Sequence, residues 1–229
     1  MRYRFIVIEG LDGSGKSTQI NLLRKYLSKE NIKSILFHYP RLDSKPYGYL
    51  ISKFLRGEFG SIETVDPYLV SVLFAGDRKD NDTKIRQFIK KDYFVICDRY
   101  IYSNIAFQCA KLAHQDQKNQ LKEWILEFEY EYNNIIRPSL SIYLNLPFHF
   151  VKNNLSSKRT GEDRYYLNGK KDIHENDLIL QKNVHFEYEK LISEKKDIVT
   201  LDCFFGDEIL SPEAIHNKVI ELLYKKSLL

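Results

Sequence analysis

The chain is poor in cysteine, methionine and tryptophan. Only Cys97, Cys109 and Cys203 occur among its 229 residues, and no two of them form a C-x-x-C pair. Their odd number and wide spacing speak against a disulfide framework and against a structural zinc site. Cys97 closes an apolar run and reads as a small core residue rather than a nucleophile. Long apolar runs are missing too: none approaches the roughly 20 residues a membrane-spanning helix needs. No secretory pattern precedes the first apolar strand, so the expectation is a cytoplasmic protein with no membrane partner. A dominant charge sign is also absent. Lys and Arg number 35 against 31 Asp and Glu, leaving +4, which is too even to argue for a nucleic-acid surface. A basic pocket for phosphates accounts for the excess equally well. No repeat and no low-complexity linker interrupts the chain, and 43% hydrophobic residues suffice for a sizeable core.

What the chain does have is concentrated near its start. Phe5 to Gln19 reads FIVIEGLDGSGKSTQ, an apolar strand running into G-x-x-x-x-G-K-S and then into a helical pattern. Glycines let the backbone curl so that several N–H groups point into one small volume, and the helix adds its positive end to it. The residues of that cradle are Gly10, Leu11, Asp12, Gly13, Ser14, Gly15, Lys16, Ser17 and Thr18. Lys16 brings a mobile cation to β- and γ-phosphates, and the Ser17 hydroxyl suits Mg²⁺. The run is therefore a nucleoside triphosphate site.

Short, nearly continuous apolar runs alternate with helical patterns through the rest of the chain. Strands are expected at Tyr3–Glu9, Ser34–His38, Phe94–Asp98, Leu140–Asn145 and Ile198–Asp202. Helices are expected at Lys16–Ser28, Pro46–Leu55, Pro67–Lys79, Asp82–Lys91, Ser103–Ala113, Gln120–Ile136, Pro147–Leu155, Glu175–Glu194 and Pro212–Lys225. Such alternation implies an α/β fold with a parallel sheet covered on both faces. Ligands of such sheets bind beyond the carboxyl ends of the strands, where Gly10, Tyr39, Asp98 and Pro147 all fall.

Three further features lie off the phosphate loop. The third strand exits at Asp98-Arg99, where an aspartate supports Mg²⁺ and an arginine suits a phosphate; a plain salt-bridge role is the alternative. Phe74 and Arg78 share a helix face, as do Asn104, Phe107 and Gln108. An aromatic, an arginine and an amide around one cavity suit a planar base, although Phe74 and Phe107 taken alone read equally as core. Residues 156–174, SSKRTGEDRYYLNGKKDIH, are polar and basic and read as a lid closing over polyphosphate.

Together these residues resemble the thymidylate kinases. The likeness rests on GLDGSGKSTQ, YPR at Tyr39–Arg41, LRGEFG at Leu55–Gly60, LFAGDR at Leu73–Arg78, DRYIYSNIAFQ at Asp98–Gln108 and DIHEND at Asp172–Asp177. The resemblance implies a three-layer P-loop NTPase fold: a five-stranded parallel sheet, order 2-3-1-4-5, flanked by helices, in one kinase domain over residues 1–229. It implies phosphoryl transfer from ATP to dTMP, giving dTDP and ADP, with Mg²⁺ held by Ser17 and Asp98. Phe74 would stack on thymine, Arg78 would donate to its carbonyl, Asn104 would bond its edge, and Phe107 would lie against the deoxyribose. Arg41 and Arg99 would hold the dTMP phosphate, and Asp12 would approach the sugar hydroxyl or the metal shell. The loop carries Gly13 where some members have a catalytic arginine, which turns attention to Arg159 and Arg164 in the lid. The catalytic set implied is thus Lys16, Asp98, Arg99, Arg159 and Arg164. A homodimer through helices on one sheet face is implied as well, and the aromatic stretch Trp124–Ile136 is open to cover by a partner or by the chain's own sheet. The alternatives are another nucleoside monophosphate kinase, which the base pocket distinguishes, and a regulatory P-loop ATPase, for which no second domain is visible.

Overall fold

The computed structural model describes residues 3–156, 167 and 172–229. Five parallel strands form the central sheet in the order β2-β3-β1-β4-β5, as the resemblance implied. They are β1 (Phe5–Glu9), β2 (Ser34–His38), β3 (Phe94–Asp98), β4 (Leu140–Asn145) and β5 (Ile198–Asp202). The three middle strands are buried nearly throughout, which is why they read as unbroken apolar runs rather than as alternating ones. Register aligns Ile8 of β1 and His38 of β2 with Asp98 of β3, so the polar residues that end these strands gather at one rim.

Helix α1 (Lys16–Lys29) starts at Gly15, whose φ of 87° only glycine adopts without strain. Helix α2 (Tyr47–Leu55) follows β2. Helix α3 is a single element, Pro67–Lys90, where the sequence suggested a break near Asp80. Asp66 caps it, accepting from the Tyr68 and Leu69 amides ahead of a first-turn proline. The polar stretch at its middle stays helical because its side chains have partners. Asn81 donates to the Tyr39 hydroxyl, and Asp82 takes both Arg86 and the Ile136 amide.

Helix α4 (Ile101–Cys109) is buried along its whole length. Helix α5 (Gln115–Leu126) then passes into a π-helical turn, Glu127–Tyr132, so the expected continuous helix to Ile136 is corrected. Beyond β4 come α6 (Phe148–Ser156), the short α7 (Ile173–Asn176), α8 (Leu178–Glu194) and, after β5, α9 (Pro212–Lys225). Asp177 caps α8 through the Ile179 and Leu180 amides and so separates it from α7, where one helix was expected. Between β5 and α9 lies a hairpin, β6 (Phe204–Phe205) and β7 (Glu208–Ile209), turning at Gly206 with φ 57°. Its signal in the sequence was a Gly-Asp pair between short apolar runs. Arg159 and Arg164, and most of the expected lid, lie outside the described residues. Among the described residues no helix is long and apolar enough to cross a membrane.

Candidate active site

The loop between β1 and α1 closes on its own lysine. The Lys16 ammonium is buried and donates to the carbonyls of Gly10, at 3.1 Å, and Leu11, at 2.9 Å. Gly10 has φ 151°, and a Cβ there would meet the Ser14 Oγ at 2.6 Å, so no other residue fits this turn. Ser17 lies exposed in the first turn of α1, where a hydroxyl can reach a phosphate-bound cation.

Asp98 ends β3 with one oxygen bonded and the other bare. His38 Nδ1 lies 3.1 Å from Oδ2, while Oδ1 is buried with no hydrogen-bond partner. Burial pushes this carboxyl's pKa up, but His38 and the nearby Lys16 charge outweigh it and hold the group below the ordinary aspartate value. Asp98 is therefore an anion with an unused lone pair. Ser17 and Asp98 together are too few for an all-protein cage, and among the described residues no group of three or more His, Cys, Asp or Glu could hold a metal. That donor set suits Mg²⁺, which keeps waters and phosphate oxygens in its shell.

Arg99 stands next in the chain with φ 67°, a conformation that costs a branched-free L-residue of order 1–3 kcal/mol and persists only when surroundings enforce it. Its Nη2 donates to Asp12 Oδ1 at 2.6 Å and its Nη1 to Ser103 Oγ at 3.1 Å. Ser103 is fixed in turn by Glu9, a fully buried carboxylate at the end of β1. Glu9 also accepts from the Tyr100 amide and the Tyr188 hydroxyl. Burial raises its pKa, opposed by the Ser103 hydrogen bond and the Arg99 charge. The sequence reading passed over Glu9, although an acidic residue closing an otherwise apolar central strand is a visible signal. Arg41 is more fully occupied. It donates to Asp77 Oδ1 at 2.9 Å and to Asp80 Oδ2 at 2.8 Å, and its own amide donates to Asp77 Oδ2.

The expected base-binding residues come from α3 and α4, which pack side by side. Phe74 is half-buried against a small apolar cluster containing Phe54. Arg78 is almost wholly buried, and its Nε and Nη2 donate to the two oxygens of Glu129, each at 2.6 Å. Asn104 Nδ2 donates to Glu129 Oε1 at 3.0 Å and to the Ser71 carbonyl at 3.2 Å. Its Oδ1 is buried without a partner. Glu129, from the π-helical turn, was not anticipated.

Phe107 closes the other side. The His174 ring stacks on it with centroids 5.1 Å apart, and the Arg99 guanidinium lies 5.3 Å from its centre. Burial, and then the Lys111 charge, push the His174 imidazole well below its ordinary pKa, so it is neutral. Gln181 of α8 joins this group to the phosphate loop, donating to the His174 carbonyl and to Asp12 Oδ2. Arg99, Asp12, Gln181, His174 and Phe107 thus form one connected group beside the phosphate loop, and Arg78, Asn104 and Glu129 form a second between α3, α4 and the π-helical turn.

Comparison with known proteins identifies the family. The family model described as thymidylate kinase matches residues 8–211. A probable thymidylate kinase of Thermococcus onnurineus is 33% identical over 226 residues, covering 96% of both chains. The thymidylate kinase of Mesoplasma florum is 28% identical over 224 residues, covering 97% of this chain and 95% of that one. Among solved structures, the thymidylate kinase of Candida albicans superposes with a TM-score of 0.75 at 25% identity, covering 99% of this chain and 93% of that one. With a family match across most of its length, the chain belongs to the thymidylate kinase family.

Proposed function

We propose that this chain carries out its family's reaction, transfer of the γ-phosphoryl group of ATP to dTMP, in the crevice lined by the phosphate loop, Arg99 and the Phe74–Arg78–Asn104 pocket. What supports thymine as the base is the pattern of free valences on the pocket floor. Glu129 takes Nε and Nη2 of Arg78, and among the described residues nothing accepts from Nη1. Asn104 Oδ1 is an acceptor without a partner, on a side chain that shares Glu129 Oε1 with Arg78. A donor next to an acceptor complements the carbonyl and the N–H of a pyrimidine-dione edge. Cytosine presents the reverse pattern, and mismatched buried polar groups are costly.

The chemistry asks for alignment and charge neutralisation rather than a strong base, because the acceptor phosphate is already largely ionised near pH 7, its second pKa being about 6. Lys16 leaves its two carbonyl partners for the β- and γ-phosphates, and the loop amides hold the rest of the polyphosphate. Arg99, pre-set by Asp12 and Ser103, meets the dTMP phosphate and offsets repulsion between the two anions. Arg41 assists, with less free charge because Asp77 and Asp80 already neutralise it. Phe74 stacks on the base and Phe107 borders the sugar. Mg²⁺, held by Ser17 and Asp98, supplies charge neutralisation when bound with ATP. Arg159 and Arg164, outside the described residues, are the candidates the resemblance implies for further positive charge at the transferred group.

We infer further that the enzyme is a cytoplasmic homodimer. The half-buried rings of Trp124 and Phe128 and the 80% exposed Tyr132 stack in a ladder, with Tyr68 edge-on to Trp124, an apolar strip of the kind a second copy covers. Sedimentation of the purified protein tests this; a monomer at micromolar concentration refutes it.

A coupled assay of ADP release tests the reaction. Turnover is expected with dTMP, weaker turnover with dUMP, since a methyl group is worth about 1–3 kcal/mol, and little with dCMP. ADP release independent of any nucleoside monophosphate would refute the kinase reading.

A further inference from the structure

We propose that Glu129 is the residue that sets base selection, by locking the Asn104 amide in one of its two orientations while it aims the Arg78 fork. The inference deepens the proposed function and rests on it. Both partners of Asn104 Nδ2, the Glu129 carboxylate and the Ser71 carbonyl, can only accept. The amide must therefore turn its nitrogen toward them and its oxygen the other way. The same Glu129 oxygen, Oε1, takes Arg78 Nη2 at 2.6 Å and Asn104 Nδ2 at 3.0 Å. One atom thus fixes both the donor and the acceptor that remain for a base.

Without that anchor only the longer bond to the Ser71 carbonyl, at 3.2 Å, holds the amide nitrogen inward, and a rotated amide presenting Nδ2 outward becomes accessible. The outward donor would then suit the unprotonated ring nitrogen of cytosine as well as the present acceptor suits the N–H of thymine. Charge enters too. Glu129 is fully buried and matches the buried Arg78, so the pocket floor is neutral overall and accepts a neutral ring without an unbalanced cation beneath it. The π-helical turn is what carries Glu129 to this place: Asn133 N donates to the Phe128 carbonyl, five residues back, and such turns recur at functional sites. Glu129 does not act on the reacting atoms; it is a positioning residue, and its effect is read in specificity.

The test compares kcat/KM for dTMP and dCMP in the wild-type enzyme and in Glu129→Gln, which keeps the shape and removes the second acceptor oxygen. The dTMP-to-dCMP ratio is expected to fall at least about tenfold, through loss on dTMP larger than any loss on dCMP. In an Asn104→Ala background the same substitution should lower the ratio by a clearly smaller factor, because the amide it orients is gone and only its hold on Arg78 remains. If Glu129→Gln fails to fold, Glu129→Asp decides. It keeps the charge beside Arg78 but is one methylene too short to hold both partners, and the ratio should fall by a smaller factor. A ratio within twofold of wild type in the folded variant, or an equal fall in the Asn104→Ala background, overturns the role of Glu129. A wild-type enzyme that phosphorylates no dTMP overturns the base assignment itself, which keeps the two failures distinct.

Discussion

At the scale of single residues, the chemistry sits on side chains held in place before any nucleotide arrives. Arg99 is the clearest example, kept at φ 67° by Asp12 and, through Ser103, by Glu9. Arg99→Ala should lower turnover by orders of magnitude, and Arg41→Ala by less, because Asp77 and Asp80 already share the Arg41 charge. Equal losses in steady-state assays of the two variants would contradict that ranking. Lys16→Ala should abolish turnover while leaving dTMP binding, read by calorimetry, nearly intact.

His174 gives a pH signature. Burial, with Lys111 second, depresses its folded pKa below the ordinary value. As pH falls through about 6.5 the unfolded chain takes up the proton first, so the contribution of His174 to stability is complete above that pH and is lost below it. Wild-type protein should therefore lose more stability than His174→Phe between about pH 7.5 and pH 5.5, measured by urea unfolding. Parallel losses would show that His174 is not held neutral in the fold. At this scale the types and spacings of Phe74, Arg78, Asn104, Asp98 and Arg99 mark them in the sequence as candidates. The sequence was mute on Glu129, because Glu127, Glu129 and Glu131 alternate with aromatics and only the three-dimensional turn decides which one is buried.

At the scale of elements, strands and caps were readable and internal continuity was not. Buried parallel strands appear as apolar runs, and Asp66-Pro67 and Ser211-Pro212 announce two helix starts that the structure contains. The polar centre of α3 looked like a break because propensity is local, whereas Asp82 is satisfied by the Ile136 amide, 54 residues away in sequence. Asp82→Ala should thus cost about 1–3 kcal/mol by leaving that amide and the Arg86 Nε without their acceptor, while Arg86 Nη2 keeps the Asn134 carbonyl. An unchanged urea midpoint would mean the helix needs no such tie. The π-helical turn was unreadable for a related reason: its shape answers to the buried Arg78 and Asn104, not to its own residues.

At the scale of the whole molecule, strand order and register turn scattered sequence features into one crevice. The sheet brings the carboxyl ends of its middle strands to a single rim, and the proposed site draws its residues from β1, β2, β3, α3, α4, α8 and the π-helical turn. In the proposed function the phosphate loop fixes one nucleotide at that rim, and Phe74 with the Arg78–Asn104 pair fixes the other. A crystal structure of the enzyme with dTMP and a non-hydrolysable ATP analogue tests this most directly. Thymine should lie on Phe74 with its carbonyl at Arg78 and its N–H at the Asn104 oxygen, and its phosphate at Arg99 should face the terminal phosphate of the analogue. A thymine ring bound anywhere else, or Arg78 and Asn104 closed over an empty floor beside a bound dTMP, would contradict it.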